Sequence, residues 1–389
     1  MPIILFDTST RAKLFPLTLT RAVADLHCGI FSIKEWWEKV SRQKVYVFTA
    51  EYLQPIYEPI PEGEYLFIDA TVSPGEALFN KINSLQINES LADAEGLVAG
   101  KKYIEQLPVF EQALSSLFTQ QESIDNVERY DSPCKLFQWN DKKIREQFRL
   151  KTKNRIPQPV PETVQVINAA NVFIEEGAQL DYCILNASTG PIYIGKNAIV
   201  MEGSTVRGPF AMCEGAVLKL GSKVYGGTTL GPYSVGGGEI KNSILMGNSN
   251  KAHDGYLGDS VIGEWCNIGA GTSNSNIKNT ASEVMVWDYY SHSYLNVGIK
   301  CGLVMGDYSR TAINTSINTG AIIGVCCNVF GEGLTPKVIP DFTWGTKGLT
   351  RYEFDKAVKD IVNWKGLKNK KLDESKLNVL KHIFEHYND

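Results

Sequence analysis

From Ile194 to Leu230 an aliphatic residue recurs at every sixth position: Ile194, Val200, Val206, Met212, Leu218, Val224 and Leu230. Four residues behind each stands a mostly small one: Ala198, Ser204, Phe210, Ala216, Ser222, Thr228 and Ser234. The beat returns at Ile262 and Ile268, followed by Cys266 and Thr272. It returns again at Met305, Thr311, Ile317, Ile323 and Val329, with Ser309, Thr315, Ala321 and Cys327 behind the first four. Side chains on a helix repeat about every 3.6 residues and on a strand about every two, so neither element explains this period. It predicts a parallel β-helix of hexapeptide turns, with roughly eighteen residues to a three-sided coil and roughly eight coils between 171 and 330. The beat breaks at Gly236-Gly237-Gly238 and again between about 273 and 301. The second break carries Trp287, Tyr289, Tyr290, His292 and Tyr294. It predicts a loop thrown out from the coil, the kind of segment that tends to carry function.

A chain of 389 residues exceeds what one core usually holds, so a second domain is expected. Residues 1–155 read as α/β. Strands are predicted over 2–6, 44–49 and 64–69, and helices over 32–43, 109–119 and 141–153. A further helix is predicted to open at Ser73-Pro74-Gly75-Glu76, with Ser73 as N-cap and Pro74 in the first turn. Strands alternating with helices favour a parallel sheet. The basic, proline-bearing stretch 153–161 reads as a linker. After Gly331 the beat stops, and 352–365 and 375–387 read as two helices that would cap the open end of the β-helix. The expected division is an α/β domain over 1–155, a β-helix over 156–335 and a helical extension over 336–389.

A formal net charge of −4 argues against a nucleic-acid binder, which usually carries a basic surplus. No apolar run approaches the roughly 18 residues of a membrane span, and the first residues lack the pattern of a signal peptide. The eight cysteines are scattered without a Cys-x-x-Cys pair, as reduced thiols in a cytoplasmic protein would be.

One block concentrates chemistry: Lys251, His253, Asp254, Tyr256-Leu257-Gly258-Asp259, then Asn267-Ile268-Gly269-Ala270-Gly271-Thr272 and Asn276. Its residues and spacing resemble the acetyltransferase half of the bifunctional sugar-1-phosphate nucleotidylyltransferase/amino-sugar acetyltransferase family. The later run Gly306-Asp307-Tyr308-Ser309-Arg310-Thr311-Ala312-Ile313-Asn314 resembles the archaeal branch of that family. The resemblance implies a left-handed β-helix packed as a homotrimer, with acetyl-CoA as cosubstrate and the acyl site between neighbouring prisms. It implies His253 as general base, a role that suits an imidazole with a usual pKa of about 6.5. Tyr256 and Asn267 become sugar contacts, Asn276 a further site residue, and Arg310 a coenzyme contact. The family's Tyr and Lys after that last Asn are replaced by Ile277 and Ser282, and its coenzyme-groove positions by Ile313, Phe330 and Gly331. Lys337 and Lys347 are positional candidates for the coenzyme's phosphates.

A second resemblance lies at the start of the chain. Thr10-Arg11-Ala12-Lys13-Leu14-Phe15-Pro16-Leu17-Thr18-Leu19-Thr20-Arg21 is similar to the opening of sugar nucleotidylyltransferases, in a short form found with hexapeptide tails. The family's glycines wrap nucleotide phosphates; here Asp7, Thr8 and Ser9 stand in that loop. The resemblance implies Arg11, Lys13 and Arg21 as nucleotide- or phosphate-binding residues. It also implies Asp69, at the end of an apolar run, as a ligand of Mg2+.

The expected function is a sugar-nucleotide pathway transferase that acetylates an amino-sugar-1-phosphate, transfers a nucleotidyl group to a sugar-1-phosphate, or both. The alternative is a non-catalytic binder of a sugar nucleotide or acyl-CoA with degenerate sites, which the altered glycines favour. His382 and His386 are spaced as two zinc ligands would be on a helix, yet no third ligand is near in sequence.

Overall fold

The computed structural model describes residues 1–110, 114–346 and 350–387. Its N-terminal part is a six-stranded sheet built from β1 (Ile3–Phe6), β2 (Val45–Phe48), β3 (Gly63–Asp69), β4 (Glu89–Asp93), β5 (Gly96–Ile104) and β6 (Gln120–Ser123). The strand order is β2-β1-β3-β5-β4-β6. β1 pairs parallel with β2 and β3, as the alternation predicts, but β5 runs antiparallel to both β3 and β4. The sheet is therefore mixed. The hairpin of β4 and β5 turns at the short segment Ala94-Glu95, too short for the crossover that a parallel pair needs.

Helix α1 (Ile33–Ser41) opens on a capping box between Ser32 and Glu35 and buries Ile33, Trp36 and Trp37. Helix α2 (Glu76–Asn83) starts later than predicted, with Gly75 at the cap position; the Ser73 hydroxyl instead accepts from Lys143 Nζ at 2.9 Å. Helix α3 (Pro133–Thr152) starts eight residues earlier than predicted, capped by Ser132 with Pro133 in its first turn. Its buried stripe includes Asn140, Lys143 and Gln147 beside Leu136, Phe137 and Ile144. Those polar residues blur the apolar period that would have revealed the whole helix. In place of the helix predicted over 109–119 there is a 3-10 turn, Leu114–Leu117, running into β6; residues 111–113 lie outside the described set.

The sixfold beat builds a three-sided parallel β-solenoid. One face stacks nine strands, from Val172–Ile174 to Val338–Ile339. Ile194 stacks on Met212 and Met212 on Leu230, and every aliphatic beat residue is buried. The small residues four positions later are buried too. They sit where the chain bends between faces, which is why serine serves there. The Ser222, Ser234 and Ser309 hydroxyls donate to the carbonyls of Lys219, Gly231 and Gly324 at 2.6–2.7 Å, so the corner's polar atoms are satisfied inside the core.

A second period rides on the first. On the nine-stranded face, the residue just before the inward one is Tyr193, Ala211, Thr229, Ile244, Val261, Val304 and Ile322, and all seven are buried. This column faces outward and the N-terminal domain covers it. Ile244, Val261, Val304 and Ile322 share one core with Trp37, Leu136 and Phe137, while Tyr193 and Ala211 pack with Trp36 and Ile144. Asn140 locks the seam: its amide donates to Gly227 O at 2.7 Å and Thr229 Oγ1 at 3.0 Å, and accepts from Gly29 N at 2.7 Å. The 275–300 excursion holds a hairpin, Met285–Asp288 with Ser293–Asn296. It lies on the N-terminal domain, with Val284 and Val286 in the shared core.

The last helices, α4 (Phe354–Gly366) and α5 (Glu374–His386), do not close the solenoid's end. They lie along one edge of it, burying Trp265, Tyr308, Cys326 and Phe342, and they also meet Phe15, Leu19 and Leu53 of the N-terminal domain. Those edge residues are large and apolar on an outer corner, so burial favours a helix laid along them. The His382 ring stacks on Tyr52 at 4.2 Å and on His386 at 4.3 Å, so the histidine pair serves packing. Among the described residues no helix is long and apolar enough to cross a membrane, and all eight cysteines are buried free thiols.

Arg21 bolts the two domains together. It pairs with Asp307 and, at 3.2 Å, with Glu264, while Thr20 Oγ1 donates to Asp307 at 2.6 Å. Burial disfavours the charge, yet these two acids hold the guanidinium firmly protonated. Removing one partner of a buried pair strands the other. Arg21→Ala is therefore expected to cost about 3–5 kcal/mol of stability, read by urea denaturation. A change below 1 kcal/mol would remove the bolt.

Candidate functional sites

At the C-terminal ends of β1 and β3 lies a cavity of about 190 Å³. Thr8, Thr10 and Lys13 line it from the loop after β1, Asp69 and Thr71 from the end of β3, and Arg129 and Glu95 from across it. This is where a ligand enters an open α/β sheet. Of the three predicted phosphate cations, only Lys13 stands at the cavity. Its ammonium is 3.5 Å from Glu95 and 5.3 Å from the Tyr290 ring, which the solenoid's excursion delivers. Arg11 and Arg21 are turned away. Arg11 is buried, donating to Thr18 O and Tyr52 Oη and lying 3.6 Å from Asp7. Both serve the loop and the domain seam, which corrects the reading of either as a free phosphate contact.

Asp69 sits at the strand end as expected, but its carboxylate is already engaged. Oδ2 accepts from Arg129 Nη1 at 2.6 Å, and Oδ1 accepts from Thr71 N and Oγ1 at 2.8 Å. Arg129 donates its other N–H groups to Asp93 and Leu97 O. Burial raises the Asp69 pKa, with Arg129 pulling against it. Among the described residues no group of three His, Cys, Asp or Glu side chains is gathered as for a metal ion. These residues as arranged do not fit a divalent cation. A guanidinium stands against the carboxylate that Mg2+ would need.

Asp7, standing where the resembled family has its glycine loop, ties that loop down. It accepts from Val23 N at 3.2 Å and Thr49 Oγ1 at 2.6 Å. Burial pushes its carboxyl from 3.8 up to about 6, against the pull of Arg11. The folded chain thus keeps a proton that the unfolded chain has released above about pH 4. Stability from this group is full below pH 4 and falls as pH rises through 6. Relative to Asp7→Asn, the wild type is expected to lose about 3 kcal/mol between pH 4 and 7, measured by urea titration at each pH. Parallel profiles would show that Asp7 ionises normally.

The second site lies on the solenoid. His253 is exposed on the corner after Asn250–Lys251 and before Tyr256–Gly258. It borders a shallow cavity of about 340 Å³ with Lys219, Leu220, Asp254 and Gly271. On the face that follows, Asn276 Nδ2 donates to Tyr256 Oη at 3.0 Å and Asp259 Oδ2 at 2.5 Å, and Asn242 Nδ2 donates to Asp259 Oδ1 at 2.7 Å. Burial, with Asp259 and Glu239 nearby, pushes the Tyr256 phenol up to about 12, so it stays a neutral donor. Tyr256 and Asn276 are thus joined directly, while His253 stands at the corner ahead of Tyr256, on a cavity whose lining includes neither. Asp259, part of the block read from the sequence but given no role there, orders this network together with Asn242, which the sequence pattern does not mark.

Asn267 is on the preceding face, bridged between Asn250 and Arg310. Arg310 is buried beneath α4, its guanidinium 5.4 Å from the Trp364 ring, with Nε and Nη2 unpartnered. Burial lowers its pKa. It is therefore neither a solvated surface charge nor open to solution as a coenzyme contact. Phe330, half-exposed, packs edge-on against Trp344 at 5.3 Å, and Ile313 is exposed. Lys337 Nζ donates to Met285 O at 3.2 Å, and Lys347 lies outside the described residues.

An α/β domain with a strand-end cavity is thus seated on a hexapeptide solenoid with an exposed histidine at one corner. Residues 3–156 match the model of the family described as sugar nucleotidyl transferase. The chain is also related to bifunctional transferases. It is 35% identical over 106 residues to the bifunctional protein GlmU of Methanocaldococcus jannaschii, covering 27% of this chain and 26% of that protein. It is 36% identical over 92 residues to a bifunctional sugar-1-phosphate nucleotidylyltransferase/acetyltransferase of Sulfurisphaera tokodaii, covering 24% and 23%. With the GlmU of Synechococcus elongatus it shares 24% identity over 262 residues, 59% of this chain and 52% of that one. The matches thus span about a quarter of the archaeal relatives and about half of the cyanobacterial one. The polySia specific acetyltransferase NeuO aligns at TM-score 0.29 and 15% identity, over 53% of this chain and 96% of that one.

Proposed function

We propose that this chain is a sugar-nucleotide pathway transferase whose solenoid moves an acetyl group from acetyl-CoA to the amino group of an amino-sugar phosphate. One observation carries the reading: an exposed imidazole, His253, stands over an open cavity, and on the face that follows its corner Tyr256, Asn276 and Asp259 form a prearranged hydrogen-bonded network. In that role His253 takes a proton from the sugar amine as its nitrogen attacks the thioester carbonyl. The C–N bond forms, the C–S bond breaks, and the departing thiolate takes up a proton. The Tyr256 hydroxyl and the Asn276 amide offer hydrogen bonds to the sugar's hydroxyls. Asn267, one face away, would serve a neighbouring protomer's site in a threefold assembly. Buried, unpaired thiols suit the cytoplasm.

Thiol release from acetyl-CoA with glucosamine-1-phosphate tests this reading. His253→Ala is expected to lower kcat by about 100-fold or more. Equal release from the variant, or none from the wild type across several amino-sugar phosphates, would end the proposal. The family match of residues 3–156 supports nucleotidylyl transfer at the N-terminal cavity as a second reading. Pyrophosphate release from UTP or dTTP with sugar-1-phosphates, with Mg2+ and with EDTA, tests it. Silence in both conditions would leave that cavity as a binding site only, the role that the altered glycine loop favours.

A further inference from the structure

Two features of the solenoid remain outside the proposed chemistry. One is the glycine run at 236–238, where the beat breaks. The other is Lys251, which occupies an inward beat position. It stacks in register on Gly236 and is 1% exposed, in a core otherwise lined mainly by aliphatic residues. A charged group there needs a reason, since burial without compensation is costly.

The lysine reaches back to the corner it precedes. Its Nζ donates to Gly237 O at 3.1 Å and to His253 O. It thus joins two stacked turns, one holding the glycine run and the other holding His253. Burial pushes the ammonium down to about 8. The glycines complete the seat. A Cβ on Gly237 would collide with the Ala252 carbonyl, and one on Gly238 would lie 2.8 Å from His253 O and 2.9 Å from the Asp254 Cα. Gly238 also has a φ of 67°, which side-chain-bearing residues rarely adopt. Backbone therefore lies directly on backbone at this point, and the His253 turn is pinned from above by contact and from inside by the lysine. On the next coil, Gly271 N donates to Asp254 O at 3.0 Å, closing the stack from below.

We infer that Lys251 and the 236–238 glycines form a clamp that positions the His253 imidazole over its cavity. Lys251 is a positioning residue: it acts through the backbone of the turn and touches no substrate. The inference rests on the reading of His253 as the base, and it adds a determinant which that reading does not contain.

The test replaces Lys251 by Met, which matches the aliphatic residues stacked around it, and Gly238 by Ala as a second, independent perturbation of the same turn. Protein labelled with 13C at histidine Cε1 reports each imidazole, with His253 assigned by its loss in His253→Gln. In Lys251→Met the His253 signal is expected to shift and sharpen as the turn loosens. His27, His292, His382 and His386 should stay in place, and the urea midpoint should hold or rise. kcat for thiol release is expected to fall roughly 10- to 100-fold with KM little changed, the effect of misplacing a reacting group by a fraction of its reach. Gly238→Ala should move the same signal. An unmoved His253 signal in both variants would overturn the clamp even if the wild type transfers acetyl groups. A moved signal in a protein without activity would uphold the clamp and count against the acetyl-transfer reading alone.

Discussion

The outward apolar column on the nine-stranded face is the constraint on which the rest depends. A solenoid is satisfied internally by its stacked coils, and its outer faces need only be wettable. This one carries Tyr193, Ile244, Val261, Val304 and Ile322 in a line, and none can be left to water without losing the burial that stabilises them. The α/β domain meets that need with the stripe of α3 and with Trp36 and Trp37 of α1. Once the two are joined, other features follow. Arg21 has acids of the solenoid to pair with, the aromatic excursion has a surface to lie on, and Tyr290 arrives beside Lys13. A lysine at the strand-end cavity thus meets a ring from more than 200 positions further along the chain.

Much of this fold was legible because a period of six has few interpretations. The positions marked as beat residues and the small ones behind them are the buried ones. The docking column was equally present in the sequence, as the residue before every third beat position, but a reading tuned to six passes over a repeat of roughly eighteen. The mixed sheet was not legible, because a strand's direction depends on partners far along the chain. The early start of α3 was hidden for a local reason: Asn140, Lys143 and Gln147 are polar, yet they are buried and hydrogen-bonded.

The sites divide in the same way. Tyr256 and Asn276 lie 20 residues apart on stacked coils, so their spacing brings them into hydrogen-bond contact, with His253 at the corner ahead of Tyr256. Arg11 and Arg21 were readable as cations but not as partners of Tyr52 and Asp307, since those partners come from elsewhere in the fold. Asp69 was placed correctly at its strand end, while Arg129, 60 residues on, decides what the carboxylate can hold. A sequence pattern announces which groups are near a site. Long-range contacts decide which of them are free to act.

The shared core also bears on how the chain is made. Synthesis delivers the α/β domain first, with Leu136, Phe137 and Ile144 of α3 in place before any coil exists to receive them. Their partners on the solenoid run as far as Ile322, so the ribosome must add most of the remaining chain before that stripe is covered. Through this interval the nascent protein presents a sticky helix to its surroundings, a state prone to association and to chaperone capture. α5 then reaches back to Tyr52, so a helix more than 300 residues further along the chain completes the packing around the N-terminal domain.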